Sequence, residues 1–116
     1  MAAIIETKEN EKDGLLKTHY YKTSYDEMKD VYLHFLEDQG YRVVSIEDGY
    51  NEIFAEIPHM TVTAKIIEQT PRETSIDFYI SAEFLFGNTK KGLSFIQQAY
   101  RELEKHFELK GLGLHQ

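Results

Sequence analysis

A histidine between two aspartates is the nearest approach in this chain to a metal-binding pattern. Asp30, His34 and Asp38 follow one another at intervals of four residues, a spacing that places side chains on one face of an α-helix. Imidazole nitrogens and carboxylate oxygens are ordinary zinc ligands. One hypothesis is therefore that two of these side chains bind a divalent metal. The simpler interpretation is a solvated charged face, because no third or fourth ligand is evident.

A second hypothesis concerns an anion at the start of a helix near the C-terminus. Asn88, Thr89, Lys90 and Lys91 lie at the predicted N-terminus of that helix, where unpaired backbone N–H groups attract negative charge. The two lysines would add to this attraction. Ordinary capping of the helix by Asn88 or Thr89 explains the same residues without a ligand.

Residues capable of catalysis do not form a recognisable motif. Glu102 and His106 are four residues apart, and a carboxylate at that spacing can orient an imidazole for proton transfer. An exposed helix pair is the favoured interpretation of them. The chain has no glycine-rich phosphate loop, nucleophile elbow, HExxH pair or calcium loop. We therefore expect no cofactor, and the question of enzymatic activity stays open, with a non-enzyme favoured.

Two helices are expected to carry these residues. The first begins at Ser24, which stands three residues before Glu27 in the spacing of a capping box, and it ends at Gly40. The second is predicted from about Thr89 to Leu109, and at 1.5 Å per residue it would be about 30 Å long. Each helix has apolar residues at helical spacing, which predicts one buried stripe.

Four consecutive antiparallel strands are predicted between the two helices. They are Tyr41–Glu47, Tyr50–Ile57, Met60–Gln69 and Thr74–Ala82. Asp48 and Gly49 favour a two-residue type I′ turn between the first two strands. Pro58 and Pro71 separate the others, because proline has no N–H to give to a ladder. Leu15–Thr23, before the first helix, is expected to form a further strand.

The register that this turn imposes divides the strands into two faces. One face is almost wholly apolar and is expected to be buried; it holds Val44, Ile46, Ile53, Ala55, Ile57, Val62, Ala64, Ile66, Ile76, Phe78 and Ile80. The opposite face is mixed, and Glu52 lies across from Lys65 on it as a favourable pair. Its apolar members are Val43, Tyr50, Phe54, Ile67 and Tyr79. An exposed apolar cluster indicates an interface, unless the N-terminal arm folds over it.

These elements predict an α+β domain in the order β-α-β-β-β-β-α, with about five strands in one antiparallel sheet and two helices on one of its faces. At the level of fold alone, this order resembles helix-grip proteins, in which a bent sheet wraps a long C-terminal helix, and saddle-shaped nucleic-acid-binding domains. We expect residues 1–14 to be a partly ordered arm, residues 15–110 to form the domain and residues 111–116 to be a tail. The alternative for the arm is a short strand at a sheet edge.

The charge balance limits the expected partners. Twenty acidic residues against thirteen basic ones give a formal net charge of −7, whereas a nucleic-acid-binding face needs lysine and arginine. We therefore expect no binding to nucleic acid. No apolar run reaches the length that spans a bilayer, so no membrane association is expected. The absence of cysteine fits a cytoplasmic protein.

The function that these features favour is binding without catalysis. We expect a small soluble cytoplasmic protein that acts as a homodimer, or binds another protein, through its mixed sheet face or a sheet edge. The alternative is a protein that binds a small apolar or amphipathic ligand in a cavity between the C-terminal helix and the sheet. A filled interior would favour the first function, and an enclosed cavity with polar groups pointing inwards would favour the second.

Overall fold

An antiparallel β-sheet covered by helices forms the framework of this protein. The computed structural model describes residues 2–83 and 88–113, with the backbone alone for Ala2 and Asn88. Within these residues seven strands form one sheet, and two helices pack against it. The strands are β1 (Ala2–Glu6), β2 (His19–Tyr21), β3 (Arg42–Glu47), β4 (Glu52–Ile57), β5 (Met60–Thr70), β6 (Glu73–Glu83) and β7 (Leu109–Leu112); the helices are α1 (Tyr25–Asp38) and α2 (Asn88–His106). The α+β class is the one that the sequence predicts.

The strand order across the sheet is β3-β4-β5-β6-β2-β7, and β1 also pairs with β6. β6 is long enough to hold two short strands end to end along one edge, β1 beside residues 79–83 and β2 beside residues 74–76. The sheet therefore has two more strands than the five expected, β1 and β7. Both are short and lie near the chain ends, where too few residues alternate to produce a strand signal.

The first residues of the chain extend the sheet as β1. Ala2–Glu6 pairs with β6, which corresponds to the alternative of a short added strand. At the other end, α2 stops at His106, before the predicted end at Leu109, and Leu109 begins β7. Residues 84–87 and residues 114–116 of the expected tail lie outside the described residues.

Local sequence signals set the ends of α1. Ser24 Oγ accepts the backbone N–H of Glu27 at 3.3 Å, as the capping-box spacing predicts, and its hydroxyl donates to Glu27 Oε1 at 3.2 Å. Gly40 follows the helix with φ +75°, a left-handed conformation that glycine adopts without steric cost. The buried stripe of the helix consists of Met28, Tyr32, Phe35 and Leu36.

The core lies between the helices and one face of the sheet. Phe78 of β6 is buried there, and its ring lies 5.8 Å from Tyr32 of α1 and 5.9 and 5.4 Å from Phe95 and Tyr100 of α2, measured between centroids. Most residues predicted to be buried are buried: Ile53, Ala55, Val62, Ala64, Ile66, Ile76, Phe78 and Ile80. The alternation of faces read from the sequence is therefore correct for β4, β5 and β6.

The turn between β3 and β4 differs from the predicted type I′ turn. Asp48–Tyr50 forms a 3-10 turn, and Asn51 after it takes the left-handed conformation with φ +58°. The Asp48 carboxylate is held towards α1, because it accepts bonds from Lys29 Nζ at 2.8 Å and from the Tyr25 hydroxyl at 3.3 Å. The longer turn changes the register of β3 against β4.

β3 is an edge strand, and its apolar residues are more exposed than predicted. Ile46 pairs with Ile53 and not with Asn51, and a β-bulge between Val43 and Ser45 adds a residue to the strand. Val44 and Ile46, both expected in the core, are 50% and 40% exposed. An edge strand has a neighbour on one side only, and all of β3 except Ser45 is exposed.

Candidate functional site

The face of the sheet opposite the helices, called the outer face here, is the candidate binding surface. Strand pairing defines three rows of residues across it. The first row is Glu47, Glu52, Lys65 and Asp77; the second is Ser45, Phe54, Thr63, Tyr79 and Glu6; the third is Arg42, Glu56, Thr61, Ser81 and Ile4. Residues directly opposite one another in an antiparallel sheet share a face, so the side chains within each row are neighbours.

An open hollow of about 700 Å³ lies on the outer face beside the β3–β4 hairpin. Val44, Tyr50 and Phe54 give it an apolar lining. Tyr50, in the turn, is 71% exposed, and Phe54 is half-buried. We refer to this feature, between the turn and the centre of β5, as the outer hollow.

The apolar residues predicted on the outer face are there with one exception. Tyr50 and Phe54 line the outer hollow, and Tyr79 lies in the row of Phe54 with Thr63 between them. Ile67 lies beyond the three rows, opposite Ser75, and is partly exposed. They therefore form a spread surface and not one tight cluster.

Val43 is the exception, and Val44 takes its place. The β-bulge pairs Val43 with Ala55, a core residue, so Val43 lies on the helix side of the sheet edge. Val44, predicted in the core, lines the outer hollow instead. A bulge adds one residue to one strand and exchanges the faces beyond it. The sequence carries no signal for it, because β3 is apolar at 43, 44 and 46.

The charged residues of the outer hollow are all acidic. Glu47, Glu52 and Glu56 line it, and no lysine or arginine is among the described lining residues. Glu47 stands directly opposite Glu52, and like charges in that position are destabilising. Arg42 Nη1 lies 2.6 Å from Glu56 Oε1. Glu52 is also opposite Lys65, as predicted, but within residues 2–83 and 88–113 neither Glu47 nor Glu52 forms an ion pair.

A partly buried carboxylate ties two strands to β6 next to the outer face. Asp77 Oδ1 accepts bonds from the hydroxyls of Thr7 at 2.6 Å and Thr18 at 2.7 Å. Thr7 Oγ1 also accepts the backbone N–H of Phe78 at 2.9 Å. Burial raises the pKa of Asp77, while the two hydroxyl bonds oppose that change. These bonds hold the end of β1 and the start of β2 against β6, which is a structural role.

A buried histidine on the helix side has partners that fix it in the fold. The His19 ring stacks on Tyr100 with 3.4 Å between centroids, and its Nδ1 lies 2.8 Å from the Lys17 carbonyl oxygen. Nearby, the Tyr21 hydroxyl donates to Glu104 Oε2 at 2.9 Å. Burial lowers the pKa of His19. The contacts describe a packed ring and not a proton-transfer site.

Two clefts open near the turn between β4 and β5. One, of about 740 Å³, contains His59 and Arg42, and His59 Nδ1 lies 3.0 Å from Glu83 Oε2. His59 has φ +68°, a strained backbone for a residue with a side chain. The other, of about 280 Å³, lies against α2 at Phe95. Deeper between α2 and the sheet, the rings around Phe78 fill the space.

The other predicted sites gain no support. Among the described residues, no group of three or more histidine, aspartate or glutamate side chains is arranged to hold a metal ion. Asp30, His34 and Asp38 are exposed, and His34 Nδ1 lies 2.8 Å from the Asp30 carbonyl oxygen. Glu102 and His106 form the expected exposed pair at 3.3 Å.

The predicted anion site is described only in part. Thr89, Lys90 and Lys91 are exposed in the first turn of α2, while the Asn88 side chain and residues 84–87 lie outside the described residues. A helix N-terminus with two exposed lysines does not by itself make an anion site. As for the membrane, neither helix in the described part of the chain is long and apolar enough to cross one.

No family model matches the chain, and no curated protein or solved structure matches it.

Proposed function

We propose that this protein is a non-enzymatic binding protein that uses its outer face, at the outer hollow, to hold a protein partner. One observation carries the proposal: Val44 and Tyr50 expose apolar surface around the hollow, on a sheet face that neither α1 nor α2 covers. Exposed apolar surface rimmed by polar residues marks interaction sites. The partner is a second copy of the chain, as the sequence suggests, or another protein, and a cytoplasmic location belongs to the same proposal.

The openness of the outer hollow supports a protein partner over a small ligand. Sites for small molecules enclose most of the ligand surface, whereas this hollow is open along the sheet. The edge strand supports the proposal too. Val44 and Ile46 leave β3 with exposed apolar side chains, and edge strands of that kind are usually covered by another chain or protected from one.

Tyr50→Glu tests the proposal directly. Tyr50 is exposed, so the change should leave the fold intact while it places a charge in the apolar lining of the outer hollow. Gln97→Glu, at an exposed position of α2, adds the same charge on the helix side and is the matched control. Light scattering and affinity capture should find a complex, with a second copy or another protein, for the intact chain and the control. Equal complex formation by Tyr50→Glu would overturn the proposal.

A second candidate function is the binding of a small apolar or amphipathic ligand. The cleft of about 280 Å³ at Phe95 favours it, because it lies where the C-terminal helix meets the sheet and is also lined by Tyr41 and Met60. The likeness to helix-grip proteins belongs to this candidate, since both require a long last helix against a one-sided sheet. Ser94→Trp would fill the cleft from its exposed rim, and it should abolish the fluorescence of a bound apolar dye.

A further inference from the structure

The outer hollow combines apolar side chains with an excess of negative charge. Val44, Tyr50 and Phe54 supply the apolar part, and every charged residue among its described lining residues is a glutamate. Arg42 neutralises Glu56 from outside the hollow. Glu47 and Glu52 face each other across the hairpin. Lys65 stands opposite Glu52, but within the described part of the chain neither glutamate forms an ion pair. A cation from outside would relieve their repulsion.

The same charges disfavour a second copy as the occupant. A two-fold interface brings the same surface of both subunits together. The three rows of the outer face contain more acidic than basic residues: Glu6, Glu47, Glu52, Glu56 and Asp77 against Arg42 and Lys65. Like charges that face each other across an interface weaken the association of the two proteins. The net charge of −7 on each chain acts in the same direction.

Resting on the proposed function, we propose that the outer hollow docks a segment of a different protein in which lysine or arginine side chains flank an apolar side chain. The apolar side chain packs against Phe54 and Val44. The flanking cations lie beside Glu47 and Glu52, and one of them contacts the exposed ring of Tyr50, whose face attracts a cation. Both halves of this recognition are needed, since neither the apolar surface nor the carboxylates alone selects such a segment.

Synthetic peptides test both halves separately. The probe is a short fluorescein-labelled peptide with lysines on both sides of one phenylalanine, and its anisotropy is measured with the intact protein. One control peptide has serine in place of phenylalanine, and another has glutamates in place of the lysines. We expect the first control to bind about tenfold more weakly and the second not to bind. Added salt should weaken the binding, because the carboxylates are exposed.

Charge-matched variants locate the binding on the protein. Glu47→Gln combined with Glu52→Gln should lower the affinity for the probe about tenfold, the sum of two surface ion pairs. Glu37→Gln combined with Asp38→Asn removes the same charge from exposed positions of α1 and should change the affinity less than twofold. Equal effects of the two double variants, equal binding of the serine peptide, or no binding of the probe would each overturn the inference.

Light scattering separates this inference from the proposed function. A dimer that becomes monomeric with Tyr50→Glu, together with no binding of the probe, would identify a second copy as the partner. The inference would then fail while the proposed function stands. If Tyr50→Glu changes neither the mass, nor the captured partner, nor the binding of the probe, the proposed function fails as well.

Discussion

Removing one hydroxyl from the core should make this protein more stable. Among the described residues, Tyr32 Oη is the buried side-chain polar atom without a hydrogen-bonding partner. The Tyr32 side chain is 1% exposed, and its ring packs against Phe78 of the sheet and Phe35 of its own helix. Burial also raises the pKa of this phenol, so the hydroxyl is neutral and still unbonded.

The size of the effect follows from the cost of the unbonded group. Burying a hydroxyl without a partner costs about 1–3 kcal/mol in proteins. Tyr32→Phe removes that cost and keeps the ring contacts, but it leaves a small void where the oxygen was, which offsets part of the gain. We expect a net increase of about 1 kcal/mol in the free energy of unfolding. In a domain of this size that corresponds to a rise of about 4 °C in Tm.

Tyr21→Phe is the matched control for this change. Tyr21 is equally buried, but its hydroxyl donates to Glu104 at 2.9 Å, so its loss should destabilise the protein by about 1 kcal/mol. The urea midpoint should therefore be lowest for Tyr21→Phe, higher for the intact chain and highest for Tyr32→Phe. The dependence of the unfolding free energy on urea concentration should be the same for all three proteins. A Tyr32→Phe variant as unstable as Tyr21→Phe would refute the reasoning and indicate that a trapped water satisfies the hydroxyl.

Three further changes test other parts of the structure. Phe78→Ala should lower the free energy of unfolding by about 3–5 kcal/mol, and an unmoved urea midpoint would contradict the central place of this ring. His59→Gly should raise stability by about 1 kcal/mol, since φ +68° suits glycine; a loss would mean that the contact with Glu83 outweighs the strain. Burial lowers the pKa of His19 below its ordinary value of 6.5, so the folded state favours the neutral ring. The protein therefore has its full stability above pH 6.5, and it loses stability as the pH falls from 6.5 through the folded-state pKa of His19. The His19→Phe variant should therefore lose less stability than the intact chain between about pH 7 and pH 5. Urea midpoints that fall by the same amount in both proteins over this range would contradict this.

The sequence predicts the centre of the sheet better than its margins. In β4, β5 and β6 the apolar residues alternate over long stretches, so the face of Phe78 or Ile53 can be assigned even without the true register. β7 could not be found this way, and β1 only as the alternative for the N-terminal arm, because their pairing with β2 and β6 depends on tertiary contacts. The same alternation assigns Phe54 and Tyr79 to the outer face correctly, whereas Tyr50 lies in the 3-10 turn and not in the predicted strand.

The error in β3 explains why the outer hollow could not be predicted. Sequence alternation assigns a residue to a face, but it does not say whether anything covers that face or where a strand lies in the sheet. Asp48 bonds to Lys29 and Tyr25 of α1, and this tertiary contact, absent from any local pattern, accompanies a turn longer than the two residues that Asp48 and Gly49 favour. The bulge then brings Val44 to the outer hollow. A candidate binding surface here arises at an edge strand, where local sequence preference and tertiary contacts disagree.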